Sequence, residues 1–259
     1  MIIELAGVSV RRADRTILGP LDWLVRAGER WVVLGANGSG KSTLLSVVDL
    51  SLWPTTGTVT VLGERYGRVD VRQHRRRIGL AGSAVEASFR DDLTPVDLIM
   101  TARHAATEPW WHEYSAEDRR RAKDLAVRFG LGGVLGHPFG TLSAGERRRT
   151  SIARALMPEP DLLLLDEPTA SLDLGARETL LRDLAGLAAE PSPTAIVLVS
   201  HHVEEIPPGF GHALVLRAGT VVADGPLGDV ISDETLSAAY GMAIEVDRRG
   251  GRVTARLRA

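Results

Sequence analysis

Gly35-Ala36-Asn37-Gly38-Ser39-Gly40-Lys41-Ser42-Thr43 is the stretch whose residue types most plainly announce chemistry. Three glycines let backbone N–H groups curl around a polyphosphate without side-chain clashes. A lysine at this offset neutralises β and γ phosphates, and the Ser42 hydroxyl is a hard oxygen donor suited to Mg²⁺. Such a loop works only between a strand and a helix, because the helix N-terminus adds unpaired N–H donors and a positive dipole end. The flanks meet that demand: Trp31-Val32-Val33-Leu34 reads as a buried strand and Leu44-Leu45-Ser46-Val47-Val48 as the start of a helix. The bland reading, a flexible Gly/Ser turn, leaves the Gly-Lys-Ser offset unexplained.

A second group of polar residues follows downstream. Asp166-Glu167 ends the apolar run Leu162–Leu165, at the carboxyl end of a strand, where open α/β sheets bind ligands. Asp166 there suits Mg²⁺, and Glu167 suits polarising a water that attacks a γ-phosphate. Read alone, the pair is a strand ending in two solvated acids; the upstream loop reverses that. Leu142-Ser143-Ala144-Gly145-Glu146 opens a helix expected over 147–156. Ser143 and Glu146 have the spacing of a capping box, and the same helix start can bind phosphate through hydroxyl, N–H groups and dipole. Both readings stand.

The remaining chain must position these groups. Its 259 residues suffice for one large α/β domain, or a core with a subdomain. With 31 basic and 33 acidic residues the net charge is −2, so no bulk attraction to nucleic acid is implied. The absence of cysteine excludes disulfides, thiol chemistry and Cys-ligated metals. The N-terminus lacks the pattern of a secretory signal, and no apolar run is long enough to span a bilayer, so a cytoplasmic location is expected.

Strands are expected at 4–10, 31–34, 58–62, 77–81, 161–165 and 195–200, with hairpins at 212–223 and 243–257. Thr94-Pro95 opens a helix. Ser115-Ala116-Glu117-Asp118 caps another that Gly130 ends, so 84–150 reads as a helical insertion in an α/β core. A helix is expected over 174–189. The arginine clusters at 72–77, 119–121 and 147–149 read as solvated faces, interleaved as they are with acids. There is one phosphate loop and no internal repeat.

The loop, Leu142-Ser143-Ala144-Gly145-Glu146, Asp166-Glu167-Pro168-Thr169, Ala170-Ser171-Leu172-Asp173 and Ser200-His201-His202, in this order, resemble an ATP-binding-cassette ATPase. Ser143 lies 23 residues before Asp166, and His201 lies 34 after Glu167. The resemblance covers nearly the whole chain (1–259). It implies an α/β P-loop NTPase (RecA-like) core, an antiparallel β subdomain, the inserted helical subdomain at 84–150 and a C-terminal hairpin extension at 240–259. It further implies ATP and Mg²⁺, and two copies facing head to tail. ATP on Lys41 and its loop would then be closed over by Ser143 and Gly145 of the other copy. His201 would contact the γ-phosphate, and Asp173 would cross the dimer interface. His202 reads as surface.

The chain departs from the family pattern in three places. Its signature has two adjacent glycines and then Gln, where this chain has Ala144, Gly145 and Glu146. The family's metal-contacting Gln after the strand at 78–82 aligns with Ser83, leaving a short hydroxyl at that metal position. The aromatic that stacks on adenine aligns with Arg12, whose guanidinium stacks on a purine or lies in a solvated basic turn. Trp110-Trp111, in the insertion, either meets a membrane partner or packs between helices.

The resulting expectation is the ATPase subunit of an ABC transporter: a homodimer beneath separate transmembrane permease subunits, peripheral at the inner face of the membrane, with no nucleic-acid partner. The tail, including Asp224-Gly225-Pro226 and Tyr240-Gly241, resembles type II importers of metal chelates, siderophores or cobalamin. Two alternatives stand beside it: an assembly ATPase of the iron–sulfur type, and a nucleotide-dependent interaction module with little hydrolysis, which intact Lys41, Asp166, Glu167 and His201 oppose.

Overall fold

The computed structural model describes residues 1–68, 70–109 and 112–258, apart from the side chain of Arg72. The chain forms two compact units, Met1–Val69 with Leu184–Ala259, and Asp70–Asp183. In the first unit come β1 (Ile3–Arg12), β2 (Arg15–Val25), β3 (Arg30–Leu34), α1 (Lys41–Val48), β4 (Thr56–Val61) and β5 (Glu64–Arg65). The second unit holds α2 (Val71–Arg75), β6 (Ile78–Gly82), α3 (Ser83–Glu86), α4 (Pro95–Thr101), α5 (Ala116–Arg128), α6 (Ala144–Leu156) and β7 (Leu162–Asp166). The division falls inside α7 (Leu174–Ala189). The first unit resumes with β8 (Ala195–Ser200), β9 (His212–Arg217), β10 (Thr220–Pro226), α8 (Leu227–Val230), α9 (Asp233–Tyr240), β11 (Ile244–Arg249) and β12 (Arg252–Leu257).

In the first unit, β2-β1-β4-β5 form an antiparallel sheet. Alternation drives it: Ile3 and Leu5 are buried opposite Val25 and Trp23 on one side and Val61 and Val59 on the other. A two-residue turn, Ala13-Asp14, joins β1 to β2, with Ala13 in the left-handed region. The strands that carry the phosphate loop behave differently. β3 lies between β8 and β9 and is parallel to both, and Val32, Val33 and Leu34 are fully buried. A strand covered on both faces needs a continuous apolar run, and Ala195–Val199 supplies another. Each Val, Leu or Ile side chain in these runs contributes on the order of 1.5–3 kcal/mol on burial.

Arg30 opens β3 as a buried charge. Its guanidinium donates to the carbonyls of Gly28 at 2.8 Å and Thr194 at 2.6 Å. Desolvation lowers its pKa from the ordinary value.

In the second unit, β6 and β7 pair in parallel from Ile78↔Leu162 to Gly82↔Asp166. α6 packs on β6 so closely that a side chain at Gly79 would meet the Ala155 carbonyl oxygen at 2.3 Å. Phe89, Leu98, Phe139 and Leu142 form a separate apolar cluster, with the Phe89 and Phe139 rings edge to face at 5.5 Å. Arg154 spans it: its charge lies 5.1 Å above the Phe89 ring, and it donates to the Ala106 carbonyl at 2.6 Å and the Thr101 hydroxyl at 3.2 Å. Burial lowers its pKa to about 10, so it stays charged at neutral pH. The residues expected as a helical insertion lie within this unit.

Candidate active site

The phosphate loop leaves β3 at Leu34 and enters α1 at Lys41, the strand–loop–helix context its chemistry requires. Gly35 has φ +153°, and a Cβ there would lie 2.3 Å from the Leu216 carbonyl oxygen, so only glycine fits. Gly38 and Gly40 also have positive φ, at +78° and +101°. The Lys41 ammonium turns back into the loop and donates to the carbonyls of Gly35 at 2.8 Å and Ala36 at 3.1 Å.

Two observations fit this loop to a polyanion. α1 begins at Gly40 with no side-chain cap, whereas Thr94, Ser115, Ser143 and Ser232 cap α4, α5, α6 and α9. Its first N–H groups are thus left without a side-chain acceptor, which suits an anionic ligand. The buried Ser39 hydroxyl has no hydrogen-bond partner among the described residues. Ser42, on the first turn of α1, is exposed, as is Asn37, and Thr43 is half-buried. An exposed Ser hydroxyl on the first turn of a helix is a hard oxygen donor of the kind that suits Mg²⁺.

His201 belongs to the same unit and the same edge. β3 and β8 are parallel, with Leu34 opposite Ser200, so Gly35 and His201 leave the ends of adjacent strands. His201 is half-buried; its ring lies 4.1 Å from that of the exposed His202, tilted by 45°.

The second unit repeats this geometry. β6 and β7 end together at Gly82 and Asp166, so Ser83 and Glu167 emerge side by side. A Cβ on Gly82 would come within 2.9 Å of Asp166 Cβ. Glu167 has φ +46°, a left-handed backbone that is costly for a residue other than glycine. Such strain clusters at functional positions, where it aims a side chain. Ser83 is exposed as the first residue of α3.

Ser143 and Glu146 form the full reciprocal capping box at α6, so the capping reading holds. Ala144 is exposed and Gly145 buried against α7, where a Cβ would lie 3.2 Å from Ala176 Cβ. Asp173 caps the start of α7, its carboxylate accepting from Ala176 N–H at 2.8 Å. Arg12 is exposed at the end of β1, paired in register with Arg15 across the Ala13-Asp14 turn. Trp110 and Trp111 lie outside the described residues.

Residue types did not disclose two features near these groups. Glu86, on α3, pairs with Arg148, on α6, at 3.1 Å with both side chains largely buried. Burial raises the Glu86 pKa, against the opposing charges of Arg148 and Arg147. Tyr240 Oη donates to the His201 carbonyl at 2.9 Å. Each joins residues far apart in the chain, and no local pattern signals either.

A family model described as ABC transporter matches residues 18–170. The ABC transporter ATP-binding protein YlmA of Bacillus subtilis is 36% identical over 247 residues, covering 95% of this chain and 93% of that protein. The hemin import ATP-binding protein HmuV of Rhodococcus jostii is 37% identical over 248 residues, covering 93% and 80%. The dimeric structure of MJ0796, a bacterial ABC transporter cassette, superposes with a TM-score of 0.75 at 25% identity, covering 87% of this chain and 99% of that one. The likeness thus runs through the loop, the acid pair and Ser143 alike, and the chain belongs to the ABC transporter family as one of its ATP-binding, ATP-hydrolysing subunits.

Proposed function

We propose that this chain binds Mg-ATP and works as a facing pair that drives a solute through separate membrane subunits. The observation that carries this is the uncapped start of α1 behind a loop only glycine can form, with His201 leaving the neighbouring strand. The dimeric state of the MJ0796 cassette supports pairing, and the import proteins among the relatives support a transport role. Among the described residues no helix is long and apolar enough to cross a membrane, which fits a subunit lying against the inner face of one.

In this reading the loop's N–H groups (Gly35 to Thr43, with Asn37, Ser39 and Ser42 among them) bind the β and γ phosphates, and Lys41 exchanges its loop carbonyls for phosphate oxygens. Ser42, Asp166 and Ser83 are the residues that would supply oxygen donors to Mg²⁺. Magnesium, when bound, neutralises charge on the phosphate oxygens and orients them. Glu167 polarises the attacking water and His201 orients the γ-phosphate. Ser143, with Ala144, Gly145 and Glu146 at the same helix start, covers the nucleotide of the other copy, and Asp173 links the two sites. Arg12 lies against the adenine. The solute class nearest the tail's pattern is a metal chelate such as a siderophore, cobalamin or haem; the permease selects the solute.

The test is a capture. Tagged Glu167→Gln protein with Mg-ATP is added to detergent-solubilised membranes, with Lys41→Ala as control. A polytopic membrane protein retained only by Glu167→Gln supports the transporter reading. Soluble partners alone, with the dimer still closing, overturn it in favour of cytosolic assembly work.

A further inference from the structure

We propose that Tyr240 is a positioning residue for His201, and that the C-terminal elements form a brace that sets the direction of that imidazole. The inference rests on the role given to His201 above.

After β8 ends at Ser200, the chain has no ladder to hold it; only a short 3₁₀ turn, Val203–Glu205, follows. Support comes from elsewhere in the unit. Tyr240, the last residue of α9, donates its phenol proton to the His201 carbonyl at 2.9 Å. Arg252, on β12, donates to the Glu204 carbonyl at 2.9 Å. The Ala255 N–H donates to Glu204 Oε1 at 2.9 Å. Ser200 Oγ closes the segment from the other end, donating to the buried Glu205 carboxylate and accepting the His202 N–H at 2.9 Å.

The brace is itself anchored. Leu236 and Ala239 bury one face of α9, and Asp233 accepts the Val246 N–H at 2.9 Å, tying α9 to β11. Gly241, with φ +71°, ends α9 at Tyr240 and so places the ring. A cavity of about 200 Å³ opens beside the contact, lined by His201, Val203, Leu236, Tyr240 and Met242. The hydrogen bond is the directional element that ties Tyr240 to the His201 carbonyl. Burial and the nearby Glu204 charge push the Tyr240 pKa up to about 12, so the phenol remains a donor at any physiological pH. Holding the carbonyl fixes the peptide plane after His201, and with it the backbone that aims the imidazole. A relaxed plane widens the range of ring directions, and a small misplacement at a reacting group costs rate more than binding.

The experiment is Tyr240→Phe in the full chain, which keeps the ring and removes the donor. Expected are a fall in ATPase kcat of about three- to tenfold, the worth of one such hydrogen bond, and a KM for ATP unchanged within about twofold. In histidine-labelled protein the His201 resonance, assigned with His201→Ala, moves while those of His74 and His104 stay. Arg252→Gln, loosening the same segment at Glu204, moves kcat in the same direction. An unchanged kcat and His201 resonance in Tyr240→Phe overturn the brace. So does a general shift of all the histidine signals with a matching loss of thermal stability, which marks a merely structural role. If His201→Ala itself keeps full kcat, the role of His201 falls instead, a result that cannot be confused with the first.

Discussion

Ser143 and Glu146 hold each other at the start of α6. The Ser143 hydroxyl donates to the Glu146 carboxylate at 2.7 Å, and the Ser143 N–H does so at 2.8 Å. The Glu146 N–H returns to Ser143 Oγ at 3.3 Å. The hydroxyl proposed to cover the nucleotide of the other copy is therefore already engaged, and a negative charge stands beside the place where an anion is to arrive.

Glu146→Gln keeps a side chain that can complete the box but removes that charge. In a Glu167→Gln background, the ATP concentration at which the dimer closes should fall about three- to tenfold, and less at high salt, where the repulsion is screened. Size-exclusion chromatography across an ATP series checks this; an unmoved midpoint refutes it.

The same box makes stability depend on acid. Hydrogen bonds from the Ser143 side chain and backbone hold the Glu146 pKa below its ordinary 4.5, and the Ser115 pair does the same for Asp118. A carboxylate with a depressed folded-state pKa stabilises above its ordinary value, and that contribution fades as pH falls through the depressed one. Urea unfolding at pH 6 and near pH 3.5 should therefore show a smaller acid loss in Glu146→Gln than in the parent. Equal losses would remove Glu146 from the acid response.

Glu86 and Arg148 should behave as a unit. Arg148→Met strands a buried carboxylate and should cost on the order of 3–5 kcal/mol. Glu86→Gln with Arg148→Met removes both charges and should recover most of it. Denaturant unfolding of Arg148→Met, Glu86→Gln and the double variant decides, and additive losses would mean the pair is not coupled.

Ser83→Gln restores a longer oxygen donor beside Asp166. Ser83 is exposed, so the larger side chain fits without repacking. The ATPase rate should rise about threefold or more through better metal positioning. Identical rates, with and without the membrane partner, would show that this position does not sense the metal.

Residues whose chemistry depends on near neighbours were legible without coordinates. The loop, the acid pair and the Ser143 box each occupy a few consecutive positions with a strand or helix signal alongside. β8 and α7 were readable to the residue, because an unbroken apolar run and a helical period leave few alternatives. β2 was not anticipated: Gly19-Pro20 interrupts it, yet an edge strand of an antiparallel sheet tolerates proline. β3 begins one residue earlier than its apolar run, because Arg30 finds carbonyl partners that no local pattern foretells. Glu86 with Arg148, and Tyr240 with His201, were invisible for the same reason, since each contact exists only after folding brings distant segments together.

Lys41 has a consequence for how its own alanine substitution is interpreted. Its ammonium is a clasp that fastens the loop to itself through the Gly35 and Ala36 carbonyls. Nucleotide arrival is then an exchange of acceptors rather than the filling of a waiting electrostatic hole. Lys41→Ala accordingly deletes a charge and unclasps the loop together, and lost binding in that variant measures the sum. A variant that keeps donors of another shape, Lys41→Arg, would separate shape memory from charge.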